Sequence, residues 1–239
     1  LEKYKLTDQS IFNMDTLTPI ANKYGSDKGT EAPPFGHHGP RLHFTPKYAK
    51  HFEEIKEQKL NILEIGVGSG PSLKMWYEYF PNASIYAIDV VPQTQHENDR
   101  VKTFVCDQSN RESLQSIVDS VGTFDIIIDD GSHVTAHQQI SLGFLFKYLN
   151  EGGQYWIEDL HTSDASVWQG KDLYGYDMSF EAGTSTVDVI EDYLNSKKFN
   201  SVHLDEEENL YLTNNIKECT LYDLPKTFYG ENKLSLFTK

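Results

Sequence analysis

Cysteine is scarce in this chain, with only Cys106 and Cys219 among 239 residues. They stand far apart and outside any C-x-x-C spacing, which excludes a disulfide framework or a thiolate zinc site and fits a reducing, cytoplasmic setting. Long apolar runs are missing as well: none approaches the ~20 residues of a membrane-spanning helix. The N-terminus lacks the charged-then-apolar layout of a signal peptide, although Leu1 rather than Met stands first. Positive charge is in the minority, 21 Lys and Arg against 36 Asp and Glu, for a net charge of −15. With no dense Lys/Arg run to offset it, nucleic acid and anionic membrane surfaces are unfavourable partners. Internal repeats and low-complexity segments are absent too, which leaves one chain long enough to bury one sizeable core.

What is present is an alternation of short apolar runs with longer amphipathic stretches, the pattern of an α/β fold with a mostly parallel sheet and helices on both faces. Strands are expected at Asn61 to Ile65, Ser84 to Val90, Val101 to Val105, Phe124 to Asp129 and Gln154 to Glu158. Helices are expected between them, at Ser72 to Tyr79, Arg111 to Ser120 and His137 to Tyr148, with another at Asp188 to Leu194. Cys219 to Tyr222 and Leu234 to Phe237 read as a closing antiparallel pair joined through Pro225 and Gly230. The acidic run Asp205 to Glu208 reads as a solvated loop. Residues 1–52 read as an N-terminal helical and lid segment, with Gly25 to Pro46 outside regular structure, and residues 53–239 as the sheet-bearing domain of one structural unit.

A glycine-rich turn, Leu63-Glu64-Ile65-Gly66-Val67-Gly68-Ser69-Gly70, follows the first strand and precedes a helix. Glycine lets the backbone turn tightly and approach a ligand there, so the turn suits NAD, FAD or S-adenosylmethionine. Two features disfavour a dinucleotide: Glu64 would face a diphosphate badly but can organise an ammonium group, and Gly66, Gly68 and Gly70 do not follow G-x-G-x-x-G. Asp89, about 20 residues on at the next strand end, is placed to accept both hydroxyls of a ribose. Asp107 and Gln108, at the end of the third strand, offer a carboxylate and an amide for an adenine amino group. Each acid alone could be an ordinary strand-end residue; three at successive strand ends point to a ligand crevice.

The strand Phe124 to Asp129 ends in Asp129-Asp130-Gly131-Ser132-His133, and the next ends in Glu158-Asp159-Leu160-His161. Neighbouring strands would bring these carboxylates together, where they repel unless a cation joins them. Oxygen donors without thiolates suit Mg²⁺, Ca²⁺ or Mn²⁺. A metal at Asp130 and Asp159, with Glu158 beside them, would orient and acidify an acceptor hydroxyl, and His133 would take its proton. The alternative is that Asp129 and Asp130 cap the following helix and His133 is a polar loop residue.

Taken together, Lys23-Tyr24-Gly25-Ser26-Asp27-Lys28-Gly29, Leu63 to Gly70 with Ser72-Leu73-Lys74-Met75-Trp76, Phe80-Pro81-Asn82-Ala83, Asp107-Gln108-Ser109, Ile128 to His133 and Ile157 to Thr162 resemble the metal-dependent sugar O-methyltransferases of macrolide and tetracenomycin biosynthesis. The resemblance runs from about residue 17 to 165. It implies a Rossmann-like, seven-stranded class I methyltransferase sheet with helices on both faces and an N-terminal lid. It also implies S-adenosylmethionine bound with help from Tyr24, Ser26, Lys28, Ser72 and Asp129, magnesium on the acids matching Asp130 and Asp159, a base matching His133, and homo-oligomers. The expected reaction is methylation of a sugar hydroxyl in a glycosylated natural product or glycan. A polyketide or phosphorylated small-molecule acceptor is the alternative, and a regulatory subunit that only binds S-adenosylmethionine is the reading from another class. Acids clustered at catalytic depth argue against that last one. The chain departs from the family pattern at Glu31 to Leu42, which carries His37-His38-Gly39-Pro40, and after Thr162, where Trp168, Tyr174, Tyr176 and Phe180 either stack on an acceptor or pack on the core.

Overall fold

A computed structural model describes residues 15–31, 41–227 and 230–239. They fall into two compact units, the described residues up to Lys59 with Ser69–Ala83, and the described residues of Leu60–Gly68 with Ser84–Lys239. Most of the Glu31 to Leu42 insertion, including His37 and His38, lies outside the described residues.

Among the described residues the first unit holds three helices, α1 (Leu17–Tyr24), α2 (Thr45–Phe52) and α3 (Pro71–Tyr79). Aromatic packing is its core: Tyr48 stacks on Phe52 with ring centroids 5.3 Å apart, and Trp76 meets both rings edge-on. Such pairs contribute roughly 0.5–1.5 kcal/mol each beyond the area they bury. Thr45 and Pro46, expected outside regular structure, instead open α2. Proline suits a first helical turn, where its missing N–H has no partner to lose.

The second unit is built on a seven-stranded sheet in the order β3-β2-β1-β4-β5-β9-β8. Its strands are β1 (Asn61–Ile65), β2 (Ser84–Asp89), β3 (Val101–Val105), β4 (Phe124–Asp129), β5 (Leu149–Ile157), β8 (Glu218–Thr227) and β9 (Gly230–Thr238), with a separate small hairpin, β6 (Asp172–Leu173) and β7 (Tyr176–Asp177). The first five pair in parallel; β9 runs antiparallel to β5 and β8 antiparallel to β9. The continuous apolar run of β4 follows from burial on both sides, with Ile126, Ile127 and Ile128 wholly inaccessible. Helices α4 (Arg111–Val121), α5 (Thr135–Leu145), α7 (Thr186–Ser196) and α8 (Glu206–Asn215) contribute Leu114, Leu142, Ile190 and Leu212 to one core with Ile127, Tyr155 and Phe237 of the sheet. A one-turn helix, α6 (Ala165–Trp168), precedes the small hairpin. Strand order reverses between β1 and β4, so the carboxyl ends of these strands part there, where open sheets of this kind bind ligands.

Several boundaries differ from expectation for identifiable reasons. The acidic run is not a solvated loop: Asp205 caps α8, its Oδ1 accepting from the Glu208 N–H at 2.8 Å while Glu208 Oε2 accepts from the Asp205 N–H at 3.2 Å. This is a capping box, and the acids of the first turn also suit the positive end of the helix. Glu208 is then buried in a two-pronged pair with Arg111 of α4, at 2.7 and 2.6 Å. A second capping box, Ser185 with Asp188, starts α7 two residues before the expected Asp188. Strand β5 begins at Leu149 and not Gln154, with its register against β4 shifting across Gly152 and Gly153. Pro225 sits inside β8 and not in a turn, which the sheet tolerates because β8 is an edge strand. Among the described residues no helix is long and apolar enough to cross a membrane.

Candidate active site

The expected site residues of the second unit sit at the carboxyl ends of β1 to β5. After β1 the chain turns through Gly66, whose N–H donates to the Ile88 carbonyl at 2.8 Å and whose φ is +87°. A Cβ on Gly66 would stand 2.1 Å from the carbonyl oxygen of Asp130, so only glycine lets the two loops touch. Gly68 also has positive φ, +54°, but a Cβ there would meet nothing within 4 Å, leaving open space above the turn. Asp89, at the end of β2, accepts from the Val67 N–H at 3.0 Å and from Gln93 at 3.3 Å, which ties it to that turn. Glu64 is fully buried within β1.

Asp107 and Gln108 have different surroundings. Asp107 is exposed, and its carboxylate folds back onto the Ser109 N–H and hydroxyl at 2.8 and 2.7 Å. Gln108 is buried: its Nε2 donates to both oxygens of Asp129 at 3.0 and 3.1 Å, and its Oε1 accepts from the Ser132 N–H at 2.8 Å. Asp129 is wholly inaccessible and also accepts from the Ser141 hydroxyl at 2.5 Å and the Gly131 N–H at 3.3 Å. Burial pushes its pKa up to about 6, with those hydrogen bonds pulling the other way.

Asp130 and His133 lie on the loop after β4, and Asp159 on the loop after β5. His133 Nε2 is 3.6 Å from Asp159 Oδ2 and 4.0 Å from Asp130 Oδ1, and one ligand atom from each of the three lies within 4.8 Å of the others. The two carboxylates, with the free thiols of Cys106 and Cys219 elsewhere, are oxygen donors that fit a divalent cation such as Mg²⁺ or Mn²⁺, and the imidazole stands beside them. Glu158 is fully buried at the same strand end but is not one of these three. Both His133 and Asp159 adopt left-handed backbone, φ +59° and +54°, a conformation that costs a non-glycine residue about 1–2 kcal/mol. The Thr162 hydroxyl joins the two loops by donating to the carbonyls of His133, at 2.8 Å, and Asp159, at 3.1 Å.

Sequence reasoning had not singled out His161, Ser141 or Asn232. His161 Nδ1 lies 3.5 Å from Asp159 Oδ1; burial, then the neighbouring His133, pushes its pKa down to about 4, and the Asn232 amide opposes them. Its place two residues after Asp159 was a usable signal; Ser141 and Asn232, brought in from α5 and β9, offered none. Among the aromatics after Thr162, Trp168 packs 5.6 Å from the His161 ring and Tyr176 packs 5.4 Å from His137, whereas Tyr174 at the hairpin tip is 79% exposed. Trp168, Met178 and Val134 form a small apolar cluster beside the His133 loop.

Tyr24, Ser26, Lys28 and Ser72 belong to the first unit. There the Tyr24 hydroxyl donates to Glu78 at 2.5 Å, and Ser26, Lys28 and Ser72 are buried.

No family model matches the chain. It is 38% identical over 161 residues to the 8-demethyl-8-alpha-L-rhamnosyl tetracenomycin-C 2'-O-methyltransferase of Streptomyces olivaceus, a match covering 64% of this chain and 40% of the relative. It is 40% identical over 134 residues to the mycinamicin VI 2''-O-methyltransferase of Micromonospora griseorubida, covering 53% and 33%. A third relative, the L-olivosyl-oleandolide 3-O-methyltransferase of Streptomyces antibioticus, is 33% identical over 199 residues, covering 80% and 46%. The fold matches the MycE methyltransferase of mycinamycin biosynthesis, solved in complex with Mg, SAH and mycinamycin VI, at a TM-score of 0.69 and 28% identity, covering 92% of this chain and 53% of that one. The chain thus spans less than half the length of these curated relatives and about half that of the solved enzyme. The likeness carried by the motifs therefore holds in both sequence and fold: the chain is similar in sequence to these O-methyltransferases of rhamnosyl tetracenomycin, mycinamicin and olivosyl-oleandolide, and its seven-stranded sheet matches that of the MycE methyltransferase.

Proposed function

We propose that this chain transfers the methyl group of S-adenosylmethionine to a hydroxyl oxygen on the sugar of a glycosylated small molecule. The observation that carries the reading is the meeting of Asp130, His133 and Asp159 within 4.8 Å, on the loops after β4 and β5. The Asp130 loop touches the glycine turn at Gly66, so the chemistry and the turn share one crevice. Asp130 and Asp159, with Glu158 beside them, hold the cation, and Asp89 takes the ribose hydroxyls. A divalent cation supplies orientation and acidification of the acceptor hydroxyl when bound. His133 Nε2 faces the same space and receives the hydroxyl proton as oxygen bonds to the methyl carbon, the carbon–sulfur bond breaks and S-adenosylhomocysteine leaves. The loops after the strands exclude water with Trp168 and Met178, while the exposed Tyr174 offers a ring face to the acceptor. Two free thiols, Cys106 and Cys219, suit a reducing cytoplasm.

Calorimetric titration with S-adenosylmethionine, with and without Mg²⁺ and with NAD as competitor, tests the class. Binding of S-adenosylmethionine alone is expected; preference for NAD would overturn it. In acceptor trials His133→Ala should lower turnover by roughly 10²-fold while cofactor binding stays intact, and unchanged turnover would remove His133 as the base.

A further inference from the structure

Gln108 and Asp129 stand where a cofactor's adenine would be sought, yet their polar atoms are directed into the protein. Gln108 follows β3, Asp129 ends β4 and Ser141 lies on α5, so a hydrogen-bonded chain of the three joins separate elements beneath the Asp130–His133 loop. The amide can face only one way. Its Nε2 donates to the Asp129 carboxylate and to Ser141 at 3.3 Å, and its Oε1 receives the Ser132 N–H; reversed, an oxygen would oppose a carboxylate and an N–H would oppose an N–H. Contact with the loop is tight as well. A Cβ on Gly131 would fall 1.9 Å from Gln108 Oε1, so the amide lies directly against that peptide.

The loop needs such support because His133 is held at φ +59°. A strained residue of this kind persists only where its neighbours over-determine it. Here the Ser132 N–H is held by Gln108, the Ser132 hydroxyl lies 2.9 Å from His137 Nδ1, and the His133 carbonyl accepts from Thr162 at 2.8 Å.

We propose that Gln108, braced by Asp129 and Ser141, is a positioning residue that sets Asp130 and His133 in place, and that the cofactor uses neither the Gln108 amide nor the Asp129 carboxylate. The consequence for metal affinity rests on the cation reading above; the consequence for the loop does not. Groups that orient a metal ligand typically change metal affinity by about 10–100-fold when removed.

The test compares the wild-type protein with Gln108→Met, which keeps the volume and removes the hydrogen bonds, and with the double variant Gln108→Glu/Asp129→Asn, which exchanges amide and carboxylate and keeps an oxygen for the Ser132 N–H. Three readouts are taken: hydrogen exchange at the Ser132 amide, Mn²⁺ affinity and S-adenosylmethionine affinity. Gln108→Met should lose protection at Ser132, weaken Mn²⁺ by roughly 10–100-fold and leave S-adenosylmethionine binding unchanged. The double variant Gln108→Glu/Asp129→Asn should recover the Ser132 protection. Weakened S-adenosylmethionine binding with Mn²⁺ binding and Ser132 protection intact would return Gln108 to the cofactor pocket and overturn the proposal. Unchanged Ser132 protection in Gln108→Met would also overturn it. If the wild-type protein binds no Mn²⁺, the cation reading fails and the exchange data alone decide the brace. Should Gln108→Met not fold, Ser141→Ala removes one hydrogen bond from the same carboxylate and is expected to lower Ser132 protection; no change there refutes the brace.

Discussion

Gly66→Ala is the single substitution that should injure both the fold and the site. The methyl group would stand 2.1 Å from the Asp130 oxygen, 2.8 Å from its carbonyl carbon and 2.9 Å from Gly131 Cα, all backbone atoms that cannot rotate aside. Ordinary carbon contacts begin near 3.4 Å, so the Asp130 loop must retreat from β1. Overpacking of this kind costs about 1–3 kcal/mol. Placing alanine at φ +87° adds about 1–2 kcal/mol of backbone strain. Gly68→Ala is the matched control, because its φ is also positive but a Cβ there meets nothing, so the strain stands alone at about 1–2 kcal/mol. The difference between the two variants isolates the clash, about 1–3 kcal/mol, or roughly 2–12 °C in Tm at 2–4 °C per kcal/mol for a unit of this size. Thermal unfolding measures it, and Mn²⁺ titration reads the displaced Asp130. Equal melting temperatures and equal Mn²⁺ affinities in the two variants would refute the contact between the glycine turn and the Asp130 loop.

Two further outcomes concern stability. His161, with its pKa lowered to about 4, stays neutral in the fold while the unfolded chain takes up protons below about 6.5, so its contribution of roughly 3 kcal/mol is lost as pH falls through that window. Asp129, raised to about 6, works in the opposite sense: its contribution is present at low pH and is lost, again by roughly 3 kcal/mol, as pH rises from about 4 to 6. In urea unfolding with chelator present, the stability of His161→Asn relative to wild type should therefore fall as pH rises from about 4 to 6 and that of Asp129→Asn relative to wild type should rise, and curves parallel to wild type for both variants would refute the assignment. Glu208→Ala removes the acceptor of the Arg111 pair and one half of the α8 capping box, and should cost about 1–3 kcal/mol; an unmoved urea midpoint would show that the pair contributes nothing.

The parallel sheet and its strand-end acids were legible because they are local patterns. Apolar runs such as Phe124 to Ile128 announce a strand covered on both sides, and the residues that follow each strand occupy its carboxyl end wherever the sheet forms. Asp130, His133 and Asp159 could be named for the same reason. The α8 cap was legible in principle, since Asp205 and Glu208 have capping-box spacing, but the surrounding charge masked it. Other features had no local signature. Whether Gln108 faces a ligand or the protein depends on Asp129, 21 residues away, and on Ser141, 33 away, and no periodicity encodes an amide's orientation. The same holds for Gly66, whose need for glycine comes from a backbone 64 positions later, and for His161, whose neutrality depends on burial and on Asn232 of the last strand. Sequence alone determined which chemistry-bearing residues lie at the strand ends; tertiary structure alone decided which of them face one another, because that choice is made by packing between elements that are distant along the chain.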